Sequence, residues 1–233
     1  MANVDIRTVR ETGSTNDDLA ALAAAGAAEG FWLRAERQSG GKGRQGRAWR
    51  SPEGNLYAST LVRVRPGDPA APSLALVAAV ALHETTSLFA PGAAIRIKWP
   101  NDLLAGPAKL AGILLERAGD AVVIGFGVNL AHHPDDIERP ATSLAAVGGQ
   151  APEPAVFCEA LAEAFARRLA TWRSHGLGPV REAWLAAAHP RGTALSTSEG
   201  NGLFDGLDES GALRLRTADG AVRLIHAGDV FLL

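Results

Sequence analysis

The chain has 233 residues, of which 47% are hydrophobic, and its formal net charge is −2 at pH 7. This length fits one large domain with a small appendage, and the charge disfavours free nucleic acid as the main partner, because binding phosphates requires a basic surface. The single cysteine, Cys158, excludes an internal disulfide and a metal site built on paired cysteines. Residues 1–5 carry no signal-like apolar segment, and the longest apolar run, residues 74–82, is far shorter than the roughly 20 residues that cross a bilayer. We therefore expect a cytoplasmic protein without a membrane partner.

Apolar periodicity and turn signals predict a chain that mixes strands and helices. In chain order we expect strands at residues 5–10, 31–37, 56–64, 95–99, 109–116 and 121–128, and helices at 19–25, 72–89, 154–174 and 179–189. Loops are expected at residues 38–55 and 131–140. Short runs at 193–197, 202–207, 212–216, 221–225 and 230–233, separated by Gly, Asp and Asn, predict a small β-barrel. The expected fold class is α+β, with one domain at 1–189 and a second at 190–233.

A basic, glycine-rich segment stands out within the first loop. Residues 34–50 carry six cationic side chains and one anionic side chain, in a chain of net charge −2. Such a local positive field suits a polyphosphate, and the glycines at positions 40, 41, 43 and 46 allow backbone N–H groups to approach it. A Walker A loop is excluded, because Lys42 is followed by Gly43 rather than by Ser or Thr. The GxGxxG match at 41–46 lacks both the helix and the later acid of a dinucleotide site, and a merely solvated basic loop stays open.

Lysine is rare in this chain, since only Lys42, Lys98 and Lys109 are lysines among 23 basic residues. Lys109 begins a very apolar strand, where a charge is costly unless it has a partner. Gly112, three residues later, allows another group to approach closely. Pro100 favours an extended Trp99 and a turn that presents two polar side chains at the end of a strand.

Five sequence blocks together resemble the biotin–protein ligase family. The run Gly-Lys-Gly-Arg-Gln-Gly-Arg-Ala-Trp at 41–49 is similar to the family's Gly-Arg-Gly-Arg-x-Gly-Arg-x-Trp loop. The other blocks are Ser-Thr-Asn at 14–16, Lys-Trp-Pro-Asn-Asp at 98–102, Lys-Leu-Ala-Gly-Ile-Leu-Leu-Glu at 109–116 and Gly-Phe-Gly-Val-Asn-Leu at 125–130. They follow the family's order and approximate spacing. One position departs, because Lys42 stands where the family usually has arginine, and a lysine does not supply a guanidinium's bidentate geometry.

The resemblance implies a fold and an activity. It implies a mixed β-sheet flanked by helices, like that of class II aminoacyl-tRNA synthetases, with a small C-terminal SH3-like β-barrel. It also implies that biotin and ATP, with Mg²⁺, form biotinyl-5′-AMP, and that the biotinyl group passes to one lysine of the biotin carrier domain of a carboxylase. The Ser14 block begins within 15 residues of the N-terminus. We therefore expect the monofunctional form without a DNA-binding domain, and no DNA partner, while monomer and homodimer both stay open.

The resemblance also implies three sets of site residues, and no metal site made by the protein itself. The expected catalytic residues are Lys109, Arg44 and Asp102, of which Asp102 would help to remove the proton of the acceptor lysine. The expected biotin-binding residues are Ser14, Thr15, Asn16, Gln38, Gly41, Lys42, Arg44, Lys109 and Gly112. The expected ATP- and adenylate-binding residues are Lys42, Gly43, Arg44, Arg47, Trp49, Asn101 and Asn129. The loop at 40–46 is expected to close over the adenylate and shield it from water.

Two alternatives share parts of this pattern. A lipoate– or octanoate–protein ligase has the same general fold and also attaches an acyl group to lysine, but the long basic loop followed by Lys-Trp-Pro-Asn-Asp favours biotin. A non-catalytic adenylate-binding protein is disfavoured only by the presence of Lys109 and Asp102.

Overall fold

The computed structural model describes residues 5–135, 139–148 and 150–233. Its larger sheet contains β1 (Ile6–Thr12), β2 (Trp32–Gln38), β3 (Leu56–Arg63), β4 (Ile95–Lys98), β5 (Asp102–Ala105), β6 (Ala108–Ala118) and β7 (Ala121–Val128). The helices are α1 (Thr15–Ala24), α2 (Leu74–Phe89), α3 (Leu144–Gly148), α4 (Pro154–His175) and α5 (Gly178–Ala187). The smaller sheet contains β8 (Ala194–Thr197), β9 (Gly200–Leu207), β10 (Leu213–Arg216), β11 (Val222–Ile225) and β12 (Val230–Leu232).

The larger sheet is mixed, with strand order β1-β2-β3-β7-β6-β5-β4. The β1–β2 pair is parallel and the other pairs are antiparallel. This sheet with its helices and the separate antiparallel sheet confirm the expected fold class. Two short elements, α3 and β5, were not predicted. The predicted loop at 131–140 includes residues 136–138, which lie outside the described residues.

The two faces of the larger sheet differ along β7. Successive side chains of a strand point to opposite sides of the sheet, and one side here is packed while the other is partly open. Val122, Ile124, Phe126 and Val128 face the main core, which α2, α4 and α5 cover. On the other face, Ala121 and Val123 pack beneath α1. Farther along that face stand Gly125 and Gly127, which have no side chains. The sheet is therefore covered by α1 at one end of this face and left open at the other.

Helix α2 lies in the centre of the main core. The helical stretch Ala71–Phe89 is long and apolar enough to cross a membrane by length and composition, and among the described residues it alone passes that test. It packs against α4, α5 and the sheet, and residues Leu76–Leu82 are buried. A core helix meets the same criteria of length and composition, so this finding carries little weight as evidence for a membrane span.

The smaller sheet shares the hydrophobic core of the larger one. Its order is β11-β10-β9-β8-β12, and its apolar residues join the main core cluster, among them Leu195, Phe204 and Leu215. The indole Nε1 of Trp99 donates to the carbonyl oxygen of Gly211 at 3.2 Å. The C-terminal strands are therefore held firmly against the end of the larger sheet. The predicted boundary at 189–190 falls between α5 and β8 and stays a prediction.

Candidate functional site

A cavity of about 740 Å³ opens on the face of the larger sheet that α1 leaves uncovered. This volume lies within the roughly 300–1,000 Å³ that is usual for sites that bind small molecules. Every predicted site residue except Gly41 lines it. These lining residues are Ser14, Thr15, Asn16, Gln38, Lys42, Gly43, Arg44, Arg47, Trp49, Asn101, Asp102, Lys109, Gly112 and Asn129. The fold therefore brings together predicted residues that are up to 115 positions apart, as in the pair formed by Ser14 and Asn129.

A pair of glycines forms the floor of the cavity. Gly112 of β6 and Gly127 of β7 face each other across the two strands. A Cβ atom at Gly127 would lie 2.7 Å from Cε2 of Trp49, and one at Gly112 would lie 3.4 Å from its Cζ3 and 3.2 Å from the Nζ of Lys109. The Trp49 ring therefore lies directly against the strands, and at position 127 only glycine leaves room for it. This bears out the expectation that Gly112 allows close approach.

The basic loop is folded as a small hairpin over this floor. Lys42 and Ala48 form an antiparallel bridge, and the N–H of Gly43 donates to the carbonyl oxygen of Arg47 at 2.7 Å. The turn between them includes Gln45, whose φ of 58° is a left-handed conformation. Gly41 lies at the base of the hairpin, where a Cβ atom would come 2.6 Å from the carbonyl oxygen of Trp49. The close contacts of Gly41 are thus with residues of the loop at 38–55, and closure of residues 40–46 over the adenylate stays a prediction.

The tip of the hairpin contacts the two residues that precede β12, Gly228 and Asp229. Arg44 Nη2 donates to the carbonyl oxygen of Gly228 at 3.0 Å, and Nη1 lies 3.3 Å from Oδ1 of Asn101. The carboxylate of Asp229 lies 3.6 Å from Arg44 and 3.1 Å from Arg47. An anionic group is thus already held between the two guanidinium groups on which the sequence prediction placed the phosphates.

The base of the hairpin is held by α1. Lys42 Nζ donates to both carboxylate oxygens of Asp17, at 2.6 and 2.8 Å. This hydrogen bond raises the pKa of Lys42 above its ordinary value. The ammonium that replaces the family's arginine therefore binds an aspartate in the first turn of α1.

Asp102 lies between two lysines at the side of the cavity. Its carboxylate oxygens are 2.6 Å from Lys109 Nζ and 3.0 Å from Lys98 Nζ. Burial acts to raise the pKa of Asp102, but the charges and hydrogen bonds of Lys109 and Lys98 outweigh burial, so the pKa is lowered. Asp102 is thus a carboxylate with a cation on either side, and it is the partner that Lys109 was expected to need. Lys109 Nζ also lies 5.4 Å from the centre of the Trp49 ring, within the range of a cation–π contact.

A chain of polar side chains lies at the other end of the cavity, where α1 begins. Ser14 caps the helix by accepting from the N–H of Asp17, so α1 begins at Thr15, four residues before the stretch at 19–25 that was predicted to be helical. The N–H of Thr15 donates to Oε1 of Gln38 at 2.8 Å. Ser59, on the face of β3 below α1, lies 2.8 Å from the hydroxyl of Thr15. The first residues of α1 therefore combine a helix cap with a set of directed donors and acceptors.

Several cavity residues were missed by the sequence prediction. They are Lys98, Arg139, Asp229 and Phe231, together with apolar side chains such as Ile113 and Leu114. The Arg139 guanidinium lies 4.0 Å from the centre of the Phe231 ring. Lys98 had a signal, because it is one of three lysines and opens a predicted block. Asp229 and Phe231 had none, because only the packing of the smaller sheet against the larger one brings them to the cavity. Asn129 also has an unpredicted structural contact, since its Nδ2 donates to the carbonyl oxygen of Thr142 at 3.0 Å.

Comparison with known proteins places this geometry in a family. The model of the biotin/lipoate A/B protein ligase family matches residues 13–129, and that of the biotin protein ligase C-terminal domain matches residues 197–233. The chain is 42% identical to the biotin–[acetyl-CoA-carboxylase] ligase of Paracoccus denitrificans, over 94% of this chain and 97% of that one. The chain belongs to the biotin protein ligase family.

The chain is also similar to more distant proteins. The bifunctional ligase/repressor of Bacillus subtilis is 33% identical, over 94% of this chain and 71% of its own length. The biotin protein ligase from Aquifex aeolicus, solved in complex with biotin and ATP, superimposes with a TM-score of 0.88, covering 98% of this chain and 99% of that one at 24% identity. At this identity the likeness establishes the fold.

Replacing Asp102 with asparagine should destabilise the fold in a pH-dependent way. The variant leaves two lysines facing a neutral amide, which should cost about 3 kcal/mol at pH 7, near the lower limit for a buried pair. Because the pKa of Asp102 is lowered in the fold, its contribution is complete above the ordinary value of 3.8 and is lost as the pH falls through the lowered value. Urea unfolding of both proteins between pH 7 and pH 3 measures the difference.

The control is Asp120→Asn, because the Asp120 side chain is 70% exposed and its ion pair with Arg63 should contribute about 1 kcal/mol or less. A stability difference between the parent and Asp102→Asn that stays constant from pH 7 down to pH 3 would contradict the assignment of Asp102 as the titrating group.

Proposed function

We propose that the protein is an ATP-dependent biotin–protein ligase, which activates biotin as biotinyl-5′-AMP and transfers the biotinyl group to a lysine of the biotin carrier domain of a carboxylase. The observation that carries the proposal is one cavity in which Lys109, the hairpin arginines and the polar start of α1 converge. The 42% identity to a biotin–[acetyl-CoA-carboxylase] ligase over nearly the whole chain supports the same reaction. We propose the cytoplasm as its location, and we assign it no DNA or membrane partner.

The first half-reaction joins two anions. The biotin carboxylate attacks the α-phosphorus of ATP, a new C(O)O–P bond forms, and the bond to the β-phosphate breaks as pyrophosphate leaves. Positive groups fixed around both oxyanions are the main means of overcoming their repulsion. Lys109 is suited to this role because Asp102 holds it at 2.6 Å and Lys98 also contacts that carboxylate. When Lys109 turns to the reacting oxygens, Lys98 still compensates the charge of Asp102.

The hairpin supplies the cations for the phosphates. Guanidinium groups bind phosphate with paired hydrogen bonds, and Arg44 and Arg47 already contact the Asp229 carboxylate. The described residues contain no cluster of three or more His, Cys, Asp or Glu side chains suited to a metal. We propose that Mg²⁺ would bind together with the triphosphate and neutralise part of its charge, since this ion commonly binds through substrate phosphates.

The remaining walls match the two halves of the adenylate. We propose that Ser14, Thr15 and Gln38 hydrogen-bond the ureido ring of biotin, since their donors and acceptors meet at one end of the cavity. A site built for such bonds rejects an acid that cannot satisfy them. Trp49, fixed over the glycine floor, offers its exposed ring face to the ligand, and Asn129 lies on the side assigned to adenine.

In the transfer step, a neutral acceptor amine attacks the carbonyl carbon of the adenylate, an amide bond forms, and the bond from that carbon to the phosphate oxygen breaks as AMP leaves. A free lysine has a pKa of about 10.4 and is mostly protonated at pH 7, so a nearby carboxylate helps by taking up the proton. We propose Asp102 for this role. Its lowered pKa makes it a weak base while both lysines contact it, so its basicity should rise once Lys109 engages the adenylate.

The first half-reaction is tested by mass spectrometry of the products formed from ATP and Mg²⁺ with biotin, and with lipoate in parallel. We expect acyl-adenylate with biotin only. Lys109→Gln should lower the rate by about 10²–10³-fold, the usual effect of removing one donor that stabilises a developing oxyanion. Adenylate formed from lipoate but not from biotin would favour a lipoate–protein ligase, and no adenylate from either acid would favour a binding protein.

The proposed role of Asp102 is tested separately by supplying preformed biotinyl-5′-AMP. Asp102→Asn should slow single-turnover transfer to a biotin carrier domain, and raising the pH should recover part of the rate, because more of the acceptor amine is then neutral. Transfer at the parental rate across the pH range would remove Asp102 from this step.

A further inference from the structure

Glu116 does not line the cavity, but it is hydrogen-bonded to a residue that does. It lies on β6, on the same face as Gly112, but it is not among the cavity-lining residues. Its Oε2 accepts a hydrogen bond from Nδ2 of Asn16 at 2.7 Å. Asn16 is 5% exposed and lines the cavity. The Asn16 side chain passes over Gly125, where a Cβ atom would come 2.9 Å from the Asn16 Cγ.

The carboxylate of Glu116 fixes which way the Asn16 amide points. A carboxylate only accepts hydrogen bonds, so the NH₂ group of Asn16 must face Glu116 and the carbonyl oxygen must face away from it. That oxygen lies 2.7 Å from the hydroxyl of Ser59. Because a carbonyl oxygen cannot donate, the single hydroxyl hydrogen of Ser59 is directed to Asn16.

The direction of the Thr15 hydroxyl follows from that of Ser59. Ser59 also lies 2.8 Å from the hydroxyl oxygen of Thr15, and Gln38 Oε1 is a second acceptor, 3.2 Å from that hydroxyl. Because the Ser59 hydrogen is directed to Asn16, the shorter contact requires the hydrogen of Thr15, so the Thr15 hydroxyl donates to Ser59. The lone pairs of Thr15 then remain to accept a hydrogen bond from a ligand. The Oε1 of Gln38 accepts from the N–H of Thr15 at 2.8 Å, and its NH₂ group donates one hydrogen to Ser51 at 3.2 Å, which leaves the second hydrogen as a donor for a ligand. An acceptor beside a donor is the complement of a cyclic urea, in which N–H groups flank a carbonyl.

We infer that Glu116 is a positioning residue that sets the specificity of this subsite: through Asn16 and Ser59 it directs the Thr15 hydroxyl, and so selects a ligand ring that presents an N–H donor to Thr15. This inference rests on the proposed function and adds to it a residue outside the cavity. The reacting atoms are not touched by Glu116, so its influence falls on recognition of the acid.

The test is Glu116→Gln, which keeps the shape but allows position 116 to donate as well as accept. The Asn16 amide is then free to reverse, and the Thr15 hydroxyl loses its fixed direction. We expect KM for biotin to rise about tenfold, the effect of losing one well-directed hydrogen bond, while KM for ATP changes less than about twofold. Biotin-dependent exchange of pyrophosphate into ATP gives both constants.

A second measurement separates a role in recognition from a general loss of structure. A biotin analogue with one ring N–H replaced by N-methyl should bind the parent more weakly than biotin does. The ratio of the two KM values should fall towards one in Glu116→Gln if the methylated nitrogen is the one that faces Thr15, so both N-methyl isomers are used. The matched control is Glu163→Gln, which removes an exposed charge on α4 and should leave both constants at parental values.

Exchanging the amide and the carboxylate between positions 16 and 116 should restore part of the affinity for biotin. In the double variant Asn16→Asp with Glu116→Gln, position 16 again accepts from Ser59 and position 116 donates, so KM for biotin should be lower than in Glu116→Gln alone. Parental KM for biotin in Glu116→Gln, or KM for biotin and ATP rising together without rescue, would overturn the inference. Failure of the parent protein to form adenylate from biotin would overturn the proposed function as well, so the two failures are distinguishable.

Discussion

The site depends on one constraint, the presence of two facing glycines on strands whose other face is packed into the core. Phe126 and Val128 of β7 are buried among the helices, and shifting the strand by one position would turn them out of the core. The core therefore fixes the face on which Gly127 stands. Because Gly127 and Gly112 leave the sheet bare there, the Trp49 ring can lie against the backbone. The hairpin that carries Arg44 and Arg47 ends at Ala48, directly before that ring.

Charge is organised around the cavity by carboxylates that lie outside the basic loop. Asp17 binds the base of the hairpin, and Asp229 binds its tip. Asp102 forms ion pairs with Lys98 and Lys109 in the cavity wall. Each cation is thus held in place before a ligand arrives, and fixed charges of this kind stabilise an ionic transition state without reorganisation at the moment of reaction. This arrangement explains how a strongly cationic loop is accommodated in a chain of net charge −2.

Much of the fold follows from local sequence patterns. Strands β3, β6 and β7 are largely apolar runs between turn residues, and α1 has a serine, Ser14, at its N-cap position. Strand β5 was missed because it is four residues long, begins with an aspartate and follows directly after a proline and an asparagine. The short helix α3 was missed for a similar reason, since five residues give little periodicity.

The candidate site was predictable where the chain is locally distinctive, and hidden where it depends on packing. The blocks at 41–49, 98–102 and 109–116 converge on one cavity, as their chemistry suggested. The sequence did not reveal that Lys42 binds Asp17 or that Asp229 lies between two arginines, because both contacts join segments that are distant along the chain. Glu116 belonged to a predicted block, but its influence on Thr15 requires the positions of Asn16 and Ser59.

We propose that the bare glycine floor creates the adenylate site by holding Trp49 in place. The most direct test is the affinity of Gly127→Ala for a non-hydrolysable analogue of biotinyl-5′-AMP, measured by calorimetry on folded protein. The added carbon would lie 2.7 Å from the Trp49 ring. We expect the ring to be displaced and the dissociation constant to rise at least tenfold, or about 1.4 kcal/mol. Parental affinity in a folded Gly127→Ala protein would contradict the account.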